Sequence, residues 1–454
     1  MLISSLPIAG PCTKIAIKLR EGRVRYRRSS RSRFLGTKHV VTSVRQLVKI
    51  TCIAAVLWAG AARNCPAQTL TTLYSFCPHR GCSDGDFPIA NLVQGTDGDF
   101  YSTAYGGGNP RCGSAGCGTV YKITPGGAFT LLYAFCSQPN CADGYNPSAG
   151  LIQASDGNFY GTTALGGNPT CNSGHGCGTV FRITAAGTLT TLHMFAATDG
   201  LDPLGELLQA NDGNLYGTTS GGGTDYAGTV FRITLSGAFI SLHSFDVADG
   251  SNPYPGVVQG GDGNLYGTTH NGGDNRNCSA GCGTVFRITP GGALTSLYTF
   301  CSEPSCADGY YPYGGLVQAA DGNLYGTTTD GGNPVEPSGT IFRITPDGAL
   351  ATLHEFCSLP DCADGAQPLG ALVQASDGNF YGTTVNNGGV FEITPSGTFT
   401  TLAMFEGANG ADPEAGLVQA SDGNLYGTTS AGGAYEYGTV FRLVLSRPCL
   451  ICRP

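Results

Sequence analysis

One phrase recurs along this chain, and its spacing limits the folds available. An Asp-Gly turn followed by Asn or Asp begins at Asp97, Asp156, Asp212, Asp262, Asp321, Asp377 and Asp422, at intervals of 45 to 59 residues. Each turn sits in a unit that reads, in consensus, GLVQASDGNLYGTT, a variable glycine loop, GTVFRITPSG, TLTTLYSF and a loop containing DGxxP. Four short runs rich in Val, Tyr, Phe and Thr, separated by Asp-Gly, Pro-x-Gly and glycine-rich punctuation, predict four strands per unit. Asp-Gly between the first two suits a two-residue hairpin, which requires positive φ. A period of roughly 50 residues belongs to a propeller or a solenoid.

The ends of the repeat choose between them. Thr69 to Phe76, TLTTLYSF, is the fourth strand of a unit with no first three, and the last unit stops at GTVFRLVL, near Leu445, without a fourth. The two fragments complete each other. A linear solenoid needs capping repeats, whereas a closed ring can finish its last blade with the N-terminal strand and so remove the open edge. The expected fold is all-β: one seven-bladed β-propeller of four-stranded blades over residues 68–445, closed by the N-terminal strand completing the last blade. With 71 glycines, one tryptophan and 12% charged residues, the composition suits such a turn-rich chain.

Residues 1–67 read as a signal or targeting segment. A basic stretch from Arg20 to Lys49 leads into the apolar run ITCIAAVLWAGAA, and Cys-Pro-Ala before Gln68 suits signal-peptidase cleavage near Ala67. The apolar run is shorter than the ~20 residues of a transmembrane helix, so no stable membrane span is expected. The length of the basic region raises the alternative that residues 1–40 are a gene-start artefact, with translation beginning near Val40 or Val41. Residues 446–454 form a C-terminal tail. Without residues 1–67 the chain holds 11 Lys and Arg against 31 Asp and Glu, a net charge of −20. Such a surface repels nucleic acid and anionic membranes. The chain is expected to be secreted or displayed at the cell surface, as a monomer.

The units GLVQASDGNLYGTT and GTVFRIT resemble the tandem repeats named after Gloeobacter and Verrucomicrobia, the GloVer repeats, in all seven units and over about residues 69 to 445. The resemblance implies a secreted or surface bacterial repeat protein of open biochemical role. More distantly, the strand order resembles NHL-type propellers and streptogramin lyase. Some GloVer chains end in an apolar sorting anchor, whereas this one ends LSRPCLICRP.

The cysteines follow the loops. Four loops after a fourth strand are long and hold Cys77 and Cys82, Cys136 and Cys141, Cys301 and Cys306, and Cys357 and Cys362. Three loops between strands two and three hold Cys112 and Cys117, Cys171 and Cys177, and Cys278 and Cys282. Every propeller loop has two cysteines or none, which predicts a local disulfide in each case for an exported chain. A four-thiolate zinc site between neighbouring long loops is the alternative. Cys449 and Cys452, in the tail, are left open.

In a four-stranded meander the two-to-three and four-to-one loops emerge at one face, so all variation in loop length gathers there. Variable loops on a rigid scaffold are where function resides. Residues repeated in every blade read as structural: the glutamines from Gln94 to Gln419, the tyrosines from Tyr101 to Tyr426, and the Lys122, Arg182, Arg232, Arg287, Arg343 and Arg442 series, which Glu392 interrupts. His193, His243 and His354 share the outer-strand position of Tyr74 and Tyr133, and the DGxxP aspartates form turns. Of the unrepeated groups, His79, His175 and His270 are weak metal candidates. Tyr310, Tyr311 and Tyr313 beside Asp308, with Tyr145 and Tyr254, are the ligand-binding candidates, since amphipathic rings suit glycan or protein contacts. Neither a Ser-His-Asp set nor a phosphate loop is present, and no cofactor is expected. The favoured function is a non-enzymatic binding scaffold for a glycan or protein. The alternative is a propeller lyase or hydrolase with a metal-assisted site on the same face.

Overall fold

The computed structural model describes residues 68–445, with 114, 275 and 276 excepted. The expected targeting segment at residues 1–67, the expected C-terminal tail, Cys449 and Cys452 lie outside the described residues. The strands form seven antiparallel sheets of four, the blades of a propeller. Blade 1 runs outward through Val93–Gln94, Phe100–Ala104, Thr119–Ile123 and Phe129–Ala134, and blades 2 to 6 repeat it. Blade 7 takes three strands from the C-terminal end, Val418–Gln419, Leu425–Thr429 and Thr439–Val444, and its outermost strand is Thr69–Ser75. Thr69 lies opposite Val444 and Ser75 opposite Thr439, so the ring closes as expected from the sequence. No helix among the described residues is long and apolar enough to cross a membrane.

The Asp-Gly turns explain the invariant aspartate and tyrosine together. In each turn one carboxylate oxygen accepts the N–H two residues on, as at Asp321 and Asn323 (3.0 Å). The other accepts the phenol of the tyrosine four residues on, at 2.6 to 2.9 Å in all seven blades. The tyrosine therefore anchors its own hairpin while its ring, fully buried at Tyr325, stacks on Phe380 of the next blade at 4.1 Å.

The glutamines link blade to blade. Gln153 Oε1 accepts the Thr96 N–H of the preceding blade at 2.8 Å, and the same bond is made by Gln209, Gln259, Gln374 and Gln419 at 2.8 to 3.0 Å. Gln94 accepts from Ser421 in the same way, 2.8 Å away across the seam, so six of the seven glutamines carry this bond. Each glutamine also donates Nε2 to a glycine carbonyl of its own turn, as Gln94 does to Gly98. Innermost strands pair over only two residues, so this belt supplies order that the short ladder lacks.

The outer strands brace the loops that follow them. Tyr74, Tyr133 and Tyr298 donate to Asp84, Asp143 and Asp308, each at 2.8 Å. His193, His243 and His354 occupy the same place and meet Asp199, Asp249 and Asp364 at 3.2, 2.7 and 3.2 Å. His243 hydrogen-bonds its carboxylate as the tyrosines do, whereas His193 and His354 approach theirs at ion-pair distance without a hydrogen bond.

Three outcomes follow from this architecture. Deleting residues 68–77 opens blade 7, and the truncated protein should melt at least about 10 °C lower, given ~2–4 °C per kcal/mol in domains of 150–250 residues; calorimetry showing the parental transition would refute closure. Tyr325→Ala should cost about 3–5 kcal/mol through a buried cavity, and Tyr325→Phe about 1 kcal/mol through one lost hydrogen bond, both read by denaturant unfolding. Burial, then the bond to Asp321 and its charge, pushes the Tyr325 phenol up to about 12, and Tyr160 and Tyr266 behave alike. A raised folded value gives stability that is complete below the ordinary tyrosine value of ~10 and is lost as pH climbs through about 12. Unfolding free energy should hold steady up to pH ~10 and then fall, less steeply in Tyr325→Phe.

Candidate functional site

The two sets of variable loops share one face and are knitted together. An isolated antiparallel bridge joins the DGxxP loop to the two-to-three loop of every blade, from Asp86 with Gly106 to Ala411 with Ala431. The approach is close enough to require glycine. At Gly309, where φ is 83°, an added Cβ would strike the Thr328 and Thr340 hydroxyls. Disulfides join Cys77 to Cys82, Cys112 to Cys117, Cys136 to Cys141, Cys171 to Cys177, Cys278 to Cys282, Cys301 to Cys306 and Cys357 to Cys362. Two staples meet where long loops neighbour each other: the sulfurs of Cys112, Cys117 and Cys136 lie within 4.8 Å of one another, as do those of Cys278, Cys282 and Cys301.

At the centre of this face lies a cavity of about 600 Å³. Its rim is the residue after each DGxxP proline, where Ile89, Ser148, Leu204, Tyr254, Tyr313, Leu369 and Glu414 stand. Two positions on, the chain comes so near the axis that five blades carry glycine or alanine. A Cβ on Gly416 would sit 2.8 Å from the Ala371 carbonyl of the neighbouring blade. Blades 1 and 3 carry Asn91 and Glu206 instead. Asn91 accepts the Gly416 N–H at 2.7 Å and donates to Glu206 Oε2 at 2.9 Å, so one side chain couples blades 7, 1 and 3. Burial pushes the Glu206 carboxyl up, and Asn91's donation only partly counters it. Asp202, also on the wall, is raised by burial, and its Oδ1 is buried without a hydrogen-bond partner. Glu414 accepts from Ser430 Oγ at 2.8 Å.

Beside the rim, five aromatic side chains gather. Tyr254 and Tyr313 have ring centroids 5.4 Å apart, and His270 lies 4.9 Å from Tyr254 and stacks on Tyr311 at 4.8 Å with the planes 7° apart. Tyr310 meets Tyr311 edge-on at 4.8 Å. Burial lowers the His270 pKa and keeps the imidazole neutral near pH 7. Burial raises the Tyr313 phenol, with Glu414 and Tyr254 adding to it. Tyr311 holds φ at 57° immediately before Pro312, a left-handed conformation unusual for a bulky side chain. The same conformation is held at this place in all seven blades, by Phe87 and Gln367 as well as by Asn146, Asp202, Asn252 and Asp412, whose side chains suit it.

The sequence candidates thus separate. Tyr254, Tyr310, Tyr311, Tyr313 and His270 come together. Asp308 does not join them: it is 1% exposed, and its carboxylate accepts from Tyr298 and from the N–H groups of Ser302 and Glu303 at 2.8 to 3.1 Å, holding the stapled loop. Tyr145 and His175 line a second depression of about 570 Å³ with Arg111, which adjoins the first through Tyr105 and Leu165. His79 is exposed on another loop. His79, His175 and His270 are not brought to one point, and no group of three metal-capable side chains among the described residues includes any of them. Sequence reasoning missed Asn91, Asp202, Glu206 and Glu414. Asn91 and Glu206 carried a readable signal, since each breaks the small residue of the consensus GLVQ unit.

Streptogramin B lyase has a similar fold: TM-score 0.57, 17% identity, covering 83% of this chain and 98% of that one. So do a catalytically inactive virginiamycin B lyase from Staphylococcus aureus with quinupristin (0.55, 16%, 83% and 99%) and the extracellular domain of a hybrid two-component system from B. thetaiotaomicron (0.53, 14%, 85% and 43%). At these identities the likeness is one of fold. No curated protein matches the chain significantly. The family model of the Gloeobacter/Verrucomicrobia repeat matches residues 111–333 and 276–448, most of the propeller, and the chain belongs to that repeat family.

Proposed function

We propose that this chain is an exported, non-enzymatic propeller that binds a glycan at the axial cavity of its stapled-loop face. The observation that carries the reading is the break in sevenfold repetition at the rim. Tyr254 and Tyr313 replace small or aliphatic residues on adjacent blades and pack around His270. Sugars present apolar faces edged with hydroxyls, and tyrosine rings with nearby carboxylates and amides match both. The cavity is within the ~300–1,000 Å³ of small-molecule sites, and the adjoining depression at Tyr145, Arg111 and His175 gives a longer oligosaccharide somewhere to run. The seven disulfides and the lack, among described residues, of a membrane-length apolar helix are consistent with an extracellular location.

Rigidity supports binding. Tyr310, Tyr311 and Tyr313 sit on a loop held by Cys301–Cys306 and by the bridge from Tyr310 to Asp330, and Tyr254 on a loop bridged from Ser251 to Asn271, so little conformational entropy remains to be lost on contact. The metal-assisted lyase or hydrolase reading has no cluster to support it, because its three histidines lie apart.

A glycan array probed with residues 68–445 should return a ligand. Replacing Tyr254 and Tyr313 with alanine should then weaken binding at least about tenfold, or ~1.4 kcal/mol, with the melting temperature nearly unchanged because both rings are partly exposed. A ligand indifferent to the double variant would place the site elsewhere.

A further inference from the structure

We infer that the saccharide taken by the axial cavity carries a protonated amine, that is, a hexosamine unit with its amino group free. The inference rests on the glycan-binding reading and adds the charge of the ligand. It begins from a mismatch in the lining. Asp202, Glu206 and Glu414 face the cavity, while neither lysine nor arginine lines it. The nearest basic side chain in the aromatic group, His270, is neutral through burial. A carboxylate withdrawn from water is costly unless it finds a partner. Glu206 has one donor, Asn91, and Glu414 has one, Ser430, while Asp202, whose buried Oδ1 is unpaired, adds a third acidic group to the wall. The cavity therefore offers acceptors in excess of donors.

An ammonium group brings three N–H donors and a positive charge on one atom, which answers that excess. Attached to a pyranose, it would lie among the carboxylates while the ring packs on Tyr254 and Tyr313, whose faces also attract cations. An N-acetylated sugar can donate hydroxyls and one N–H to these oxygens but brings no positive charge to offset theirs. A bare divalent ion fits less well, because these acids do not form a group compact enough to share a metal. The net charge of −20 outside the targeting segment draws cationic ligands to the protein in general, so the test must separate the cavity from the surface.

The disulfide-intact protein would be titrated calorimetrically with the glucosamine disaccharide and with its N-acetylated counterpart, at fixed ionic strength. The free amine should bind at least tenfold more tightly. Glu206→Gln, which keeps the oxygen that Asn91 bonds, and Asp202→Asn should each reduce that preference severalfold. Asp347→Asn removes the same charge from an exposed turn on the opposite face and should leave it intact. Equal, tyrosine-dependent binding of both sugars would overturn the amine inference and leave the glycan reading standing. A preference that Asp347→Asn reduces as much as Glu206→Gln would overturn it as mere surface attraction. Binding of neither sugar would overturn it outright, and the glycan array then decides the broader reading on its own.

Discussion

The Ser421 N–H donates to Gln94 across the seam where the two ends of the propeller meet, and Thr69–Ser75 pairs with Thr439–Val444 beside it. These bonds turn a row of seven sheets into a ring, and the other features of the fold assume that ring. Without closure, blade 7 would present an unpaired strand edge and the glutamine belt would end in an unsatisfied amide. With it, every blade has a neighbour on both sides, and each buried tyrosine has a phenylalanine or its equivalent to stack on. The ring also sets how near the inner strands approach the axis, and that approach is why glycine and alanine prevail there.

Against so regular a scaffold, function is carried by the exceptions. A group that recurs from blade to blade sits in equivalent places and is accounted for by local contacts: tyrosine to its own turn, glutamine to the preceding blade, outer-strand tyrosine or histidine beside the loop aspartate. The axial cavity is lined by residues that differ from blade to blade. Two tyrosines, three carboxylates and one asparagine make an asymmetric pocket from a symmetric frame, which under the proposed glycan reading would hold its ligand in a single orientation.

Much of this was legible in the sequence because the information lay in repetition. Blade number, strand number, closure by Thr69 to Phe76 and the interblade glutamines all follow from comparing one unit with the next. The structural reading of His193, His243 and His354 followed from their sharing a column with tyrosine. Roles set by geometry rather than by column were harder. Asp308 stands beside three tyrosines in the chain yet faces inward to Tyr298, because a side chain's neighbours in sequence need not be its neighbours in space. Asn91 and Glu206 are 115 positions apart and meet only because the ring brings blades 1 and 3 to a common axis. His270 joined the tyrosines for the same reason. Their contact depends on how far each inner loop leans toward the centre, a quantity no single repeat records.

The closing strand has a consequence for how the protein reaches this state. Thr69 is among the first propeller residues made and Val444 among the last, yet they are partners in one sheet. During synthesis the blades that are contiguous in the chain can form hairpin by hairpin from local contacts. Thr69–Ser75 must meanwhile wait, as a strand with an unpaired edge, for a partner almost the whole length of the propeller away. Contacts of such long range form late, because the loop they close must be ordered first. The final stage of folding should thus resemble the fastening of a nearly finished band, and the waiting strand is the segment most exposed to mispairing with another copy of the chain.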